Sequence, residues 1–184
     1  MTMLKFSNID LVNEESLHEV VRKIMESPKK SISVAVEEMG RTREALLEAG
    51  EKSAQQELVL ASTLAESSRT FHVQVAQQVT LPASWMQTRK LLSELFEELS
   101  CLLQGIYLMG NITSQGRDIL VSCGQRASAI ILVEALRTNG VQAKAFSARE
   151  LILAAQSSLP NSLQQSVVAD FHQELSSLMK GNII

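Results

Sequence analysis

The first 36 residues restrict the fold more than any other stretch of the chain. Leu4, Phe6 and Ile9 make a short apolar run over Met3 to Ile9, broken by Asn8 and Asp10, which reads as a strand. Asn13 then offers an N-cap and Glu14 and Glu15 put negative charge in a first helical turn. Leu17, Val20, Val21 and Ile24 follow at three-to-four-residue spacing. Ser27-Pro28 ends that helix, and Ile32, Val34 and Val36 alternate over Ser31 to Val36 as a second strand. Strands joined through a helix normally pair in parallel with a right-handed crossover. The chain therefore opens as the start of an α/β sheet.

A second unit of the same kind lies near the other end, between Gln104 and Ile152. Ser122 to Ser128 opens an amphipathic helix, Ala127 to Thr138, that carries Ile130, Val133 and Leu136 at helical spacing and stops at Asn139-Gly140. An alternating run from Val141 to Phe146 follows as a strand. Between the two units Thr42 to Gly50 predicts a short helix and Lys52 to Gln78 a long one, broken at Leu81-Pro82. Ser84 caps a further helix striped by Leu91, Leu92, Leu95, Leu99 and Leu102, so the two long helices form a hairpin. Asn111 to Gly116 reads as a turn, while Arg117 to Cys123 is compatible with a buried strand or a helix. Beyond the last strand, Ala148 to Gln156 and Asn161 to Met179 read as helices separated by a turn at Ser157 to Pro160. The sum is a helix-dominated α/β fold: a small parallel sheet of about three strands flanked by helices, with a helical hairpin over about 52–110 inside one domain, 1–184.

Composition excludes several kinds of function. A formal charge of −3 gives no electrostatic reason to expect nucleic acid or an anionic membrane. Met1 to Asp10 lacks a signal-peptide layout, and no run approaches the ~18 apolar residues of a membrane span, which places the chain in the cytoplasm. Cys101 and Cys123 sit in apolar helical surroundings and read as reduced, buried thiols. His18, His72 and His172 fall on three different expected helices without metal-ligand spacing, so no metal site is expected.

The segments that carry the architecture also resemble a known family. Leu4-Lys5-Phe6, a helix, then Val34-Ala35-Val36-Glu37-Glu38-Met39-Gly40-Arg41-Thr42 is similar to the aspartokinase opening, in which Lys-Phe-Gly-Gly-Thr-Ser leads through a helix to Val-Val-Ser-Ala-Met-Gly-x-Thr. Gly124-Gln125-Arg126-Ala127-Ser128, then Asn139-Gly140, then Ser147-Ala148-Arg149-Glu150 resembles that family's Gly-Glu-Arg-Leu-Ser motif, helix end and Asp-Ala-Arg-Glu. Leu103 to Leu108 looks like the Leu-x-Gly-Ile-x-Leu segment of kinase domains fused to homoserine dehydrogenase. The resemblance implies an amino-acid kinase scaffold with a helical subdomain at the hairpin, and a helical Arg117 to Cys123. It also implies Lys5 as the phosphate-contacting lysine, and Gln125, Arg126 and Ser128 as substrate-binding positions.

The departures from that pattern fall on the chemistry. A kinase needs bare backbone to approach phosphate and a cation over the transferring group. Here the first glycine loop is Ser7-Asn8-Ile9-Asp10, and the Ser-Ala after the second strand is Glu37-Glu38, which puts acids at the strand ends where α/β sheets bind ligands. Gln125 replaces a glutamate and forfeits a charge-assisted bond, Ala127 replaces a leucine, and Ser147 replaces an aspartate. The family's nucleotide-holding strands, its Thr-Asp-x-Asp-Gly-like stretch and its ACT modules have no expected counterpart after Gln156. The sequence thus points to an aspartokinase-like chain without catalysis of its own, acting as a homo-oligomer or as a regulatory partner of an intact aspartokinase/homoserine dehydrogenase. No cofactor is expected; ATP and magnesium enter only with the alternative, an active or split kinase that phosphorylates aspartate. A third reading is a helical interaction module.

Overall fold

The computed structural model describes residues 2–8, 10–27 and 32–146. Its elements run β1 (Thr2–Phe6), α1 (Glu14–Met25), β2 (Ile32–Val36), α2 (Thr42–Ala54), α3 (Leu58–Val79), α4 (Pro82–Met109) and α5 (Ser114–Thr138). β1 and β2 pair in parallel, with Leu4 opposite Val34 and Lys5 opposite Ala35. The cap read from sequence is present in full: the Asn13 side chain accepts from the Ser16 amide at 2.9 Å while the Ser16 hydroxyl accepts from the Asn13 amide at 3.0 Å. Leu17, Val20, Val21 and Ile24 form the buried face of α1, as their spacing requires.

α3 and α4 make the expected hairpin, pinned at one end by Gln56, whose side-chain amide donates to the Tyr107 carbonyl. Its inner face joins Ala65, Val75 and Ala76 to Leu92, Leu95, Phe96 and Leu99 in the same core as the sheet. The break between α2 and α3 falls at Gln55 to Glu57, later than the boundary read from sequence, and Gln56 takes a left-handed φ of 67° there. Leu81, not Ser84, is the N-cap of α4, because Pro82 at the first position starts the helix with its fixed φ. α4 ends on Gly110 at φ 64°, a left-handed C-cap that costs glycine little.

α5 departs most from the sequence reading. It begins at Ser114, capped by the Thr113 hydroxyl on the Gly116 amide at 3.0 Å, and runs unbroken to Thr138. The stretch Arg117 to Cys123 is therefore helical, and Gly124-Gln125-Arg126-Ala127-Ser128 lies in mid-helix and does not open one. α5 is long and apolar enough to cross a membrane by length and composition, contrary to the sequence expectation. Yet 56% of its most apolar stretch is buried inside the protein, where it packs on α1, α2, α3, α4 and β2 as the central core helix. The segment after it is not a regular strand: only Ala143 makes an isolated bridge, so the sheet has two strands among the described residues. Arg137 Nε donates to the Ala143 carbonyl at 3.2 Å and fastens the segment to α5. Cys101 is exposed on α4 and only Cys123 is buried, because Cys101 faces away from the Leu99–Leu103 stripe. The readings over 147–184, including Ser147 and Arg149, lie outside the described residues.

Candidate functional site

The parallel register puts the ends of β1 and β2 side by side, and the loop after β2 packs on the middle of α5 through Met39 on Ser128 and Glu38 on Gly124. In such sheets ligands bind at the carboxyl ends of the strands. Lys5 sits one residue before the end of β1, on the opposite side of the strand from buried Phe6. Its Nζ lies 2.8 Å from Glu37 Oε1, just past β2, with the lysine 69% and the glutamate 35% exposed. That hydrogen-bonded pair raises the lysine pKa and lowers the glutamate pKa below the usual carboxylate value. The Glu37 amide donates to the Phe6 carbonyl at 3.1 Å, so the pair stands on a continuation of the strand ladder.

The loop after β1 is closed on itself. Asp10 Oδ2 accepts from the Ser7 backbone amide at 2.9 Å and from the Ser7 hydroxyl at 3.0 Å. The same two bonds, backbone first, hold the Asp10 carboxyl below its ordinary value. The backbone amide of Asn8 also faces Glu37 and adds a smaller downward pull on its carboxyl pKa, after that of Lys5. The donors that the resemblance would assign to phosphate are thus engaged by carboxylates of the chain itself. A triphosphate does not fit this loop as it stands, since it would meet two carboxylates and amides already bonded. Among the described residues no three His, Cys, Asp or Glu side chains converge as a metal ion would require.

Of the other three candidate positions, Ser128 has the most defined role. It is buried, accepts from the Met39 amide at 2.9 Å and donates to the Gly124 carbonyl at 3.0 Å. It therefore ties the β2–α2 loop to α5 and is spent on structure. Arg126 pairs with Glu98 of α4 at 2.7 Å, both groups about half exposed, so its guanidinium is directed to the hairpin. Gln125 is half-buried in mid-helix between them. The structure does not bring Lys5, Gln125, Arg126 and Ser128 into one bonded cluster; Lys5 belongs with Glu37, Ser128 with Met39, and Arg126 with Glu98.

Sequence reasoning placed acids at the strand ends but missed where Glu38 goes. Glu38 is only 2% exposed, bonded to Arg43 Nη1 at 3.2 Å, and packed on Gly124 of α5. A Cβ at Gly124 would lie 2.9 Å from Glu38 Cγ and 3.1 Å from Thr42 Cγ2. The glycine of the helix motif thus serves here to admit the glutamate. The Ser7…Asp10 spacing was the available signal for the closed loop, since Ser, Asn and Asp side chains readily bond backbone a few residues away.

This geometry defines the class: an α/β scaffold built on a parallel strand pair, crossed by one core helix and extended by a helical hairpin. No family model matches the chain. It is 32% identical to aspartokinase 1, chloroplastic, of Arabidopsis thaliana over 151 residues, which are 81% of this chain and 26% of that protein. Aspartokinase 3, chloroplastic, of the same plant is 26% identical over the same length. Among solved structures, E. coli aspartokinase III in complex with aspartate and ADP (R-state) matches with a TM-score of 0.76 at 18% identity, covering 100% of this chain and 40% of that one. The same enzyme in complex with lysine and aspartate (T-state) gives 0.77 at 17% identity. Over 81% of its length the chain is similar to aspartokinases, and it spans about a quarter of the length of the curated relatives it matches.

Proposed function

We propose that this chain is an aspartokinase-like protein that does not catalyse phosphoryl transfer by itself and acts through binding, as an oligomer or as the regulatory partner of an intact aspartokinase chain in aspartate-family amino-acid synthesis. The carrying observation is the closed strand-end: Asp10 engages the Ser7 amide and hydroxyl, and Glu37 engages Lys5. Phosphoryl transfer needs those kinds of donor turned toward phosphate, and a carboxylate in their place repels it. The packing positions, by contrast, remain filled: Ser128 still ties the second loop to α5, and one core joins sheet and hairpin. A scaffold kept while its phosphate loop is closed fits binding better than catalysis. The cytoplasmic placement belongs to this proposal and rests on composition.

Calorimetric titration with ATP and magnesium, and with aspartate, tests it. No heat of nucleotide binding and no aspartyl phosphate formed from the mixture is the expected result. Turnover, alone or after mixing with an intact kinase chain that lacks its own activity, would establish the competing reading of an active or split aspartate kinase.

A further inference from the structure

One glycine of the hairpin has no use inside the chain. A positive φ or a packed neighbour accounts for every other described glycine, but a Cβ at Gly105 would meet nothing within 4 Å among the described residues. Gly105 lies in the interior of α4, where glycine is the least favourable residue after proline. Glycine is of use at such a position where a second backbone comes close, because the side chains at the contact set how near two helices approach.

Around it α4 presents an uncharged face. Cys101, Gln104, Gly105 and Leu108 fall on one side of the helix, turned away from buried Leu99, Leu103 and Ile106. Cys101 and Gln104 are exposed, and Leu108 is 82% exposed. No Asp, Glu, Lys or Arg occurs from Leu99 to Gly116. This face offers a charged partner nothing to pair with. A second copy of the chain, itself carrying a net charge of −3, meets it here without repulsion.

We propose that α4 of one chain crosses α4 of a second copy in antiparallel sense, with the two-fold axis between Gln104 and Gly105. The axis sets Leu108 of each copy over the partner's Cys101, large against small, and brings the two Gln104 amides together as mutual donor and acceptor. Exposed Glu94, Glu97 and Glu98 are carried to opposite ends of the pair, whereas a parallel pair would stack them on one another. A single helix crossing buries less than the ~1,600 Å² of a standard interface, so the pair is a weak one. The inference rests on the binding reading above and specifies the surface for its oligomer arm.

Disulfide cross-linking of the full chain under mild oxidation, at high micromolar concentration, tests the crossing, since Cys101 is exposed and Cys123 is buried. At 1.5 Å per residue the two Cys101 positions lie about 10 Å apart along the antiparallel helices, beyond the ~7 Å limit for a bridge, while 101 and 108 face each other. Leu108→Cys should therefore cross-link at least about tenfold faster than wild type. Adding Cys101→Ser should return the rate to the wild-type level, and adding Gly105→Leu should abolish the link. Both altered positions have open space around them, so wild-type circular dichroism is expected of each variant. Sedimentation of the same samples separates the outcomes. A dimer in which wild type cross-links as fast as Leu108→Cys, or in which Gly105→Leu changes nothing, overturns the crossing and leaves the oligomer reading standing. A chain that stays monomeric and gives no cross-link, whether Cys101 reacts with a small thiol reagent or is shielded by residues 147–184, overturns the crossing together with the oligomer arm.

Discussion

At the scale of single residues the chain shows how one substitution is absorbed by its neighbour. Gly124 would be expected to weaken a helix interior by about 1 kcal/mol relative to alanine. Yet its missing Cβ leaves room for the buried Glu38 side chain, whose Cγ would be 2.9 Å away. Gly124→Ala therefore sets a gain of about 1 kcal/mol in helix propensity against overpacking that typically costs about 1–3 kcal/mol. The atoms that clash are Cγ and Cβ of Glu38, close to the backbone and hemmed in, so the clash should win. The expected outcome is a net loss of about 1–2 kcal/mol in urea unfolding, recovered when Glu38→Ala is added. The lysine at the end of β1 and the acids after β2 were legible in the sequence, because a strand ending in charged residues exposes them. Their pairing was not, since it depends on a register that brings Glu37 level with the end of β1 and on an Asp10 that turns back on its own loop.

At the scale of elements, the opening strand–helix–strand unit was legible because each boundary had a local cause: Asn13 as cap, Ser27-Pro28 as stop, alternation in the strands. α5 was harder. Its first half carries Gly116 and Gly124 and a run of Ile119-Leu120-Val121 that suits a strand equally well, and only burial on nearly every side explains why it is helix throughout. The hairpin hides a different feature. His72 is fully buried between Phe71 and Phe96, with Nδ1 2.7 Å from the Ser68 carbonyl and Nε2 without a hydrogen-bond partner. Burial lowers its pKa to about 4, against an ordinary value of 6.5. The unfolded chain thus takes up this proton first as the solution is acidified. Stability should be undiminished above pH 6.5, fall as pH drops toward about 4, and level off below, with a total loss of about 3 kcal/mol from this group. Denaturant midpoints measured across that window check it, and His72→Leu should flatten this part of the pH dependence. A wild-type curve parallel to that of the variant would show that the hairpin tolerates a charged imidazole.

At the scale of the whole molecule, one surface remains to be accounted for. The start of α3 and the end of α4 lie together at one end of the hairpin, joined through Gln56 and Tyr107. There Val59 is 80% exposed, Leu108 82%, Met109 66% and Leu60 51%. Single exposed apolar residues need no explanation, but four at one helical tip approach the size of the patches that mark contact sites. Two copies meeting tip to tip would bury on the order of 1,000 Å², at the lower bound for a specific interface, so self-association through this end should be weak and concentration-dependent. Sedimentation velocity from low to high micromolar concentration should show a monomer giving way to a dimer, and Val59→Glu with Leu108→Glu should hold the chain monomeric without altering its circular dichroism. Because both positions are exposed, the variant loses little folding stability, which separates assembly from unfolding. Wild type that stays monomeric throughout removes the self-association arm of the proposed function and leaves an aspartokinase chain as the partner to be sought. In that case the same double variant, used in a pull-down against the intact kinase, decides whether the tip is the surface that partner covers.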